Sequence, residues 1–337
     1  MINARIEHIE THFPDHVLSN ADLCVTFPSW TPEKILAKTG ISERRISAPN
    51  ETSVDLGVKA AQKLLMKYPE LMDEIDYLIF CSQTADHFLP TSACIIQDRL
   101  GLPKHIGAFD INQGCSGYVY SLAVAKGMIV GGIARKILLI TADTYTKLIN
   151  ENDTSVRTLF GDGAAASVIT ASEGPQGIKD FVFGTNGAGA NQLIVPAGGF
   201  RQRPTKDSAH EVRDEFGNTR SADQLFMDGS KIMMFGLGEV PKAIKALLTK
   251  AELDLEQIDH FIFHQASLLM LEKLIKKLKI DPNKAPLSLE YTGNTVSSTI
   301  PILLKSCIDD HRFETGDKLL LAGFGVGLSW AACIVEI

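Results

Sequence analysis

At 337 residues the chain is longer than a single hydrophobic core usually supports, so two domains or a fused pair of half-domains is expected. A net charge of −7 argues against nucleic acid as the main partner, and no run of about 18 apolar residues is present to cross a membrane. The first ten residues carry charges throughout and lack a secretory h-region, which makes the cytoplasm the expected location.

The first clear elements are a helix with apolar residues at helical spacing through Ala60, Leu64 and Leu65, a short polar link, and a strand-like run from Tyr77 to Cys81 that reads as buried on both faces. Phe109 to Gln113 is a short strand, and Cys115 follows it between Gly114 and Gly117. An Ala/Val/Leu-rich helix then runs nearly apolar as far as Lys126. The flanking glycines suit a sharp strand-to-helix turn. A thiol at a helix start meets free backbone N–H groups that favour thiolate. There are six cysteines (24, 81, 94, 115, 307 and 333), without CxxC pairs or metal-like His/Cys spacing. Most cysteines are small buried hydrophobes, so it is this context that singles out Cys115 as a nucleophile.

Lys136 to Ile140 is a further strand. Phe160-Gly-Asp-Gly163 then precedes a strand-like Ala-Ala-Ala-Ser-Val-Ile, so it reads as a tight turn and not a phosphate loop. Ser172 to Gly177 punctuates the chain, and beyond it the pattern starts again. Ala60, Leu64, Leu65 and Lys67 recur at constant spacing as Ala243, Leu247, Leu248 and Lys250. Ile75-Asp76 and Ile79-Phe80 recur as Ile258-Asp259 and Ile262-Phe263. Lys136 to Ile140 resembles Lys318 to Leu321, and Phe160 to Gly163 resembles Phe324 to Gly327. Helices alternating with strands, twice over, imply two α/β halves (1–174 and 175–337) with mostly parallel sheets. Residues 196–228 interrupt the second half with a polar, charged excursion that is either a solvated loop or a cap over a substrate entrance.

His264 closes the strand Phe261 to His264 and stands opposite Cys81 in the repeat. The carboxyl ends of such strands are where open α/β sheets gather ligands. Asn294 sits in a polar turn before an apolar helix from Ile300 to Ile308, where it would ordinarily cap or turn the chain.

Taken together, Lys38 to Arg44, Asn112 to Gly117, Phe160 to Ala164, His264-Gln-Ala266, Gly293-Asn-Thr295 and Gly323 to Trp330 resemble the ketoacyl synthase III family of the thiolase superfamily, over nearly the whole chain. The resemblance implies a five-layered α-β-α-β-α thiolase fold built from two duplicated halves with mixed, largely parallel sheets, and a homodimer. It implies a 3-oxoacyl-thioester synthase of fatty-acid and lipid biosynthesis. Cys115 would take the acyl group, His264 and Asn294 would serve decarboxylative Claisen condensation with malonyl-acyl-carrier protein, and the backbone N–H groups of Cys115 and Val326 would hold the oxyanion. Acyl-CoA or acyl-acyl-carrier protein would be the donor, with no metal or redox cofactor, no nucleic acid and no membrane.

The resemblance breaks at the donor site. The family's adenine-sandwiching tryptophan and arginine align with Lys34 and Thr154, with Trp30 and Arg157 nearby. A phosphate-facing arginine aligns with Lys38, and another, one turn after the histidine, with Leu269. Lysine offers phosphate only a point charge, so CoA recognition should weaken. The acyl-pocket gate aligns with Leu89, with Phe88 as the alternative occupant. Lys276 and Lys277, in a basic run with Lys273 and Lys279, match the carrier-protein docking position. Two other functions compete: an acyltransferase of the same fold that passes the acyl group to a hydroxyl or amine, and a non-catalytic carrier-binding module.

Overall fold

The apolar run at 77–81 is an inner strand of one sheet, and that at 260–263 is the edge strand of a second. In the computed structural model, which describes residues 2–174 and 176–337, Tyr77–Cys81 pairs in parallel with both Gly107–Ile111 and Lys136–Asp143. Gly163–Glu173 and Ile2–His12 extend that sheet antiparallel, completing five strands. The second sheet has four strands. His260–Phe263 lies parallel to Lys318–Gly325, which Ser329–Glu336 and then Gly177–Thr185 extend antiparallel. Met1 and Pro175, each at the start or seam of an expected half, lie outside the described residues.

The expectation of mostly parallel sheets needs correcting: three pairings are parallel and four antiparallel. Parallel neighbours require a crossover, whereas a strand that returns through a short turn can only lie antiparallel. Lys318–Gly325 turns back after three residues into Ser329–Glu336.

Strand alternation explains why these runs are apolar beyond their first residues, Tyr77 and His260. Ile79, Ile262, Leu319 and Leu321 point into a central core shared by both sheets, together with Val119 and Leu122 of the helix Gly117–Val130 and Leu303 and Leu304 of the helix Thr299–Asp309. Leu78 and Phe80 point the other way, under the helix Ser53–Lys67, and Phe261 and Phe263 do so under Gly229–Ala251 and Leu268–Leu278. The result is five layers, with helices outside each sheet and a helix pair between them. A helix between two sheets keeps little surface for solvent, here Val124, Gly127 and Val130, which accounts for the nearly apolar sequence of Gly117–Val130. Its Lys126 turns its ammonium to the carbonyls of Ile178 and Lys179, at 2.6 and 2.8 Å.

The internal repeat extends to hydrogen bonds. The N–H of Asp76 donates to the Lys136 carbonyl and that of Asp259 to the Lys318 carbonyl, both at 3.0 Å. Each aspartate carboxylate also accepts the N–H of that same lysine. The 196–228 excursion is ordered and stitched to the first half. Its hairpin strands are Val212–Arg213 and Thr219–Arg220, and Arg220 bridges Asp153 and Asp214 at 2.9 and 2.5 Å.

Candidate active site

Cys115 lies in the turn between Gly107–Ile111 and the central helix, two residues ahead of the helix's first residue. The flanking glycines are there for clearance and not for a left-handed turn, since neither has positive φ. A Cβ on Gly114 would stand 2.4 Å from Gln83 Oε1 and one on Gly117 2.5 Å from Cys81 Sγ. On the other side, Gly323 and Gly325 bring the second sheet's strand against the Cys115 backbone and sulfur. The Val326 turn is fastened to the cysteine turn. Ser329 Oγ donates to the Val326 carbonyl at 2.9 Å and lies 2.7 Å from Ser116 Oγ.

Burial pushes the Cys115 thiol up to about 12, with the Asp143 carboxylate adding to the rise. The backbone N–H groups of Val326 and of Cys115 itself pull it back in part. The expected preference for thiolate at a helix start is therefore outweighed by desolvation, and the resting sulfur is a thiol. Both N–H groups anticipated as an oxyanion site are near enough to the sulfur to favour its charged form.

His264 follows the last residue of its strand, and its N–H donates to the Ala322 carbonyl at 2.9 Å. The ring is fully enclosed. It stands edge-on to Phe324 at 5.7 Å, and Nδ1 lies 2.7 Å from Thr299 Oγ1. Burial lowers its pKa to about 3, so the imidazole is neutral at working pH.

Asn294 is pinned to the first half, its N–H donating to the Leu159 carbonyl at 2.9 Å and its carbonyl accepting from Gly161 at 3.1 Å. Gly293 has φ of 69°, and a Cβ there would press on the Leu159 carbonyl, so glycine is required. The side-chain Oδ1 accepts the Val296 N–H at 2.9 Å, and among the described residues the NH₂ end has no hydrogen-bond partner. Asp143 steadies the same loop, accepting from Ser297 Oγ at 2.5 Å and from the Gln83 N–H at 2.9 Å.

Cys115, His264 and Asn294 line one cavity of about 580 Å³. Met227, Met233, Met234 and Met270 also line it, giving adaptable apolar walls. Sequence reasoning passed over those methionines and Thr299. A Ser-Ser-Thr run at the start of an apolar helix was the only signal for the latter.

The remaining anticipated residues lie elsewhere. Lys34 and Lys38 hold their ammonium groups 4.6 and 4.8 Å from the Trp30 ring centre. Thr154 gives both its N–H and its hydroxyl to Asn218 of the excursion, and shares a cleft of about 360 Å³ with Trp30, Arg213 and Phe216. Arg157, on the short helix beside that cleft, is half-buried. Phe88 and Leu89 do not line the Cys115 cavity of their own chain. They are 69% and 80% exposed, and Phe88 packs on Phe200 in a separate outer cleft. Lys276 and Lys277 are exposed, while Lys273 of the same helix reaches the cavity rim. The Gly161-Asp162-Gly163 turn is a buried clamp, its carboxylate taken up by the N–H and hydroxyl groups of Ser47 and Thr146.

Residues 109–187 match the family model for 3-oxoacyl-[acyl-carrier-protein] synthase III, and residues 248–337 match the model for its C-terminal part. The beta-ketoacyl-[acyl-carrier-protein] synthase III 2 of Halalkalibacterium halodurans is 36% identical, over 99% of this chain and 96% of that one. The chain belongs to the 3-oxoacyl-[acyl-carrier-protein] synthase III family. A crystal structure of a 3-oxoacyl-(acyl-carrier-protein) synthase III superposes with a TM-score of 0.98 at 50% identity, covering 99% of this chain and all of the other. The 3-oxoacyl-(acyl-carrier protein) synthase of Burkholderia xenovorans gives 0.91 at 35%, covering 100% and 95%. With these likenesses the five layers are a thiolase fold. Among the described residues of this synthase-family chain, no helix is long and apolar enough to cross a membrane.

Acid should unfold the protein partly through His264. Its folded pKa, about 3, lies below the ordinary value of 6.5. The stability it contributes is therefore complete above pH 6.5 and is lost as pH falls toward 3. At pH 4.5 the loss is on the order of 2–3 kcal/mol. Urea midpoints measured at pH 7 and 4.5 should fall less for His264→Gln than for the parent protein; an equal fall would refute the assignment.

Proposed function

We propose that this chain is a 3-oxoacyl-thioester synthase that loads an acyl group onto Cys115 and condenses it with malonyl-acyl-carrier protein. The observation that carries the reading is the state of Asn294. Its Oδ1 is taken by Val296, so what remains for the cavity is a pair of N–H donors that cannot ionise. Donors beside a nucleophile are what an enolate oxygen requires, whereas acyl transfer to a hydroxyl or amine makes no enolate.

In the first half-reaction the Cys115 sulfur attacks the thioester carbonyl. The N–H groups of Cys115 and Val326 receive the oxyanion, the carbon–sulfur bond of the donor breaks, and the Cys115 proton ends on the departing thiol. In the second, the malonyl thioester loses CO₂ and the electron pair of the broken bond moves to the thioester oxygen. His264 Nε2–H and the Asn294 amide stabilise that charge. The enolate carbon then attacks the Cys115 acyl carbonyl, the carbon–sulfur bond breaks, and a 3-oxoacyl thioester leaves. The released Cys115 thiolate takes a proton from solvent. Two thioesters and these side chains suffice, with no metal or redox group in the scheme.

Mass spectrometry after incubation with a panel of acyl-CoA and acyl-carrier-protein donors tests the first half. The parent protein should gain acyl mass on Cys115 and Cys115→Ala none. Release of labelled CO₂ from malonyl-acyl-carrier protein by the acyl-enzyme tests the second. Acyl transfer without CO₂ would sink the synthase reading, and no acyl mass would make the protein a binding module.

Donor and carrier contacts follow from the same reading. Lys276 and Lys277, exposed on the helix whose Lys273 reaches the cavity rim, dock an acidic carrier protein. Lys34, Lys38, Thr154 and Arg157, around the Trp30 cleft, meet the phosphate end of a donor. The exposed Phe88 and Leu89 pack into a second copy of the chain, whose acyl pocket they gate, so the protein works as a cytoplasmic homodimer. Reversing both charges with Lys276→Glu and Lys277→Glu should raise KM for malonyl-acyl-carrier protein about tenfold, with a shallower salt dependence. Single-turnover acylation by a short acyl-CoA should be unaffected. An unchanged KM would remove the docking assignment.

A further inference from the structure

The turn that follows Asn294 is built around a residue under strain. Val296 is fully buried with φ of 55°, a left-handed conformation that a β-branched side chain adopts at a cost of roughly 1–3 kcal/mol. The conformation sends its two polar groups to different partners. Its N–H donates to Asn294 Oδ1 at 2.9 Å, and its carbonyl lies 3.2 Å from Thr299 Oγ1. That same hydroxyl lies 2.7 Å from His264 Nδ1, so one short turn reaches both side chains assigned to the enolate.

A neutral imidazole carries one proton, on either nitrogen, and only a proton on Nε2 can be offered to the cavity. The threonine hydroxyl also has one proton and two acceptors within reach. At 2.7 Å the contact with Nδ1 suits an O–H donor, whereas N–H donors centre near 2.9–3.0 Å. At 3.2 Å the Val296 carbonyl is long for an O–H bond, so the hydroxyl proton belongs toward the imidazole.

We propose that Thr299 is a positioning residue that donates its hydroxyl proton to His264 Nδ1, keeping the ring proton on Nε2 and turned toward the cavity. Val296 does the corresponding work for Asn294 by occupying the amide oxygen. The Asn294–Thr299 turn thus sets the polarity of both side chains as donors before any substrate arrives. Such preorganisation stabilises charge without reorientation during the reaction. The inference rests on the reading that His264 and Asn294 serve an enolate, but its central claim, the tautomer, can be read without turnover.

Nitrogen-15 NMR of histidine-labelled protein near pH 7 should show His264 protonated at Nε2, with Nδ1 as a hydrogen-bonded acceptor. Thr299→Val keeps the shape and removes the hydroxyl. Its Nδ1 signal should move toward that of an unbonded lone pair, and CO₂-releasing condensation should fall about tenfold or more as the ring loses its anchor. Acyl loading of Cys115 should change by less than about threefold. Thr299→Ser should restore both signal and rate. A proton on Nδ1 in the parent protein overturns the proposal, and so does a valine variant with unchanged spectrum and rate. If the valine variant fails to fold, the parent spectrum still decides. An Nε2–H tautomer in a protein that releases no CO₂ would leave this inference standing and remove the synthase reading instead.

Discussion

Asn294→Asp should slow condensation by about 10²–10³-fold and leave acylation of Cys115 intact, because the change reverses one donor and little else. The two side chains have the same shape. Oδ1 of the aspartate can still accept the Val296 N–H, and the backbone bonds to Leu159 and Gly161 do not involve the side chain. What changes is the atom left facing the cavity. Two N–H groups are replaced by a carboxyl oxygen, which when ionised meets a developing enolate oxygen as a second negative charge and when protonated offers at most one donor. Oxyanion binding during acylation is assigned to the N–H groups of Cys115 and Val326, which the substitution does not touch. Single-turnover acylation followed by mass, beside CO₂ release under the same conditions, separates the two steps. Parallel loss in both would mean that Asn294 holds the cavity together and has no special part in condensation. Unchanged CO₂ release would remove it from the mechanism.

Cys115 was legible because an apolar strand, a glycine-flanked cysteine and an apolar helix follow one another along the chain, and each is a local feature. The internal repeat was legible for a related reason. The repeat runs through a helix and its strand, and in the structure it extends to matching Asp76–Lys136 and Asp259–Lys318 hydrogen bonds. Strand direction was not legible to the same degree. Buried strands read alike whichever way they run, and the antiparallel pairings of Gly163–Glu173 and Ser329–Glu336 depend on how the chain returns. The state of the thiol was misjudged because helix position is local, while burial comes from elements distant in sequence, here Gly325 and Val326. Thr299 stayed hidden for the same reason. Nothing near it in sequence says that its hydroxyl meets a ring 35 positions earlier.

Gly325→Ala should cost the protein its acylation, and the reason is steric. In strand Lys318–Gly325, Gly325 has no unusual φ, so alanine is acceptable to its backbone. The added methyl would nevertheless stand 2.7 Å from Cys115 Sγ and 2.8 Å from Cys115 Cβ. Neither atom can retreat easily. The Cβ is fixed to a turn that Ser116 and Ser329 tie to Val326, and Gly323 is packed against the Cys115 carbonyl on the same strand. Relief by separation of strand and turn costs about 1–3 kcal/mol of stability. It also shifts the sulfur relative to the backbone N–H groups of Cys115 and Val326, and a displacement near 1 Å is worth about 10²-fold in rate. The expected result is a folded protein with a modestly lower melting temperature whose acyl loading, followed by mass over time, is slowed about 100-fold. Condensation measured on whatever acyl-enzyme does form should suffer less, because His264 and Asn294 reach the cavity from other elements. Loading at the parent rate would show that the Cys115 turn gives way without cost, and that the close approach of the second sheet does not set the position of the sulfur.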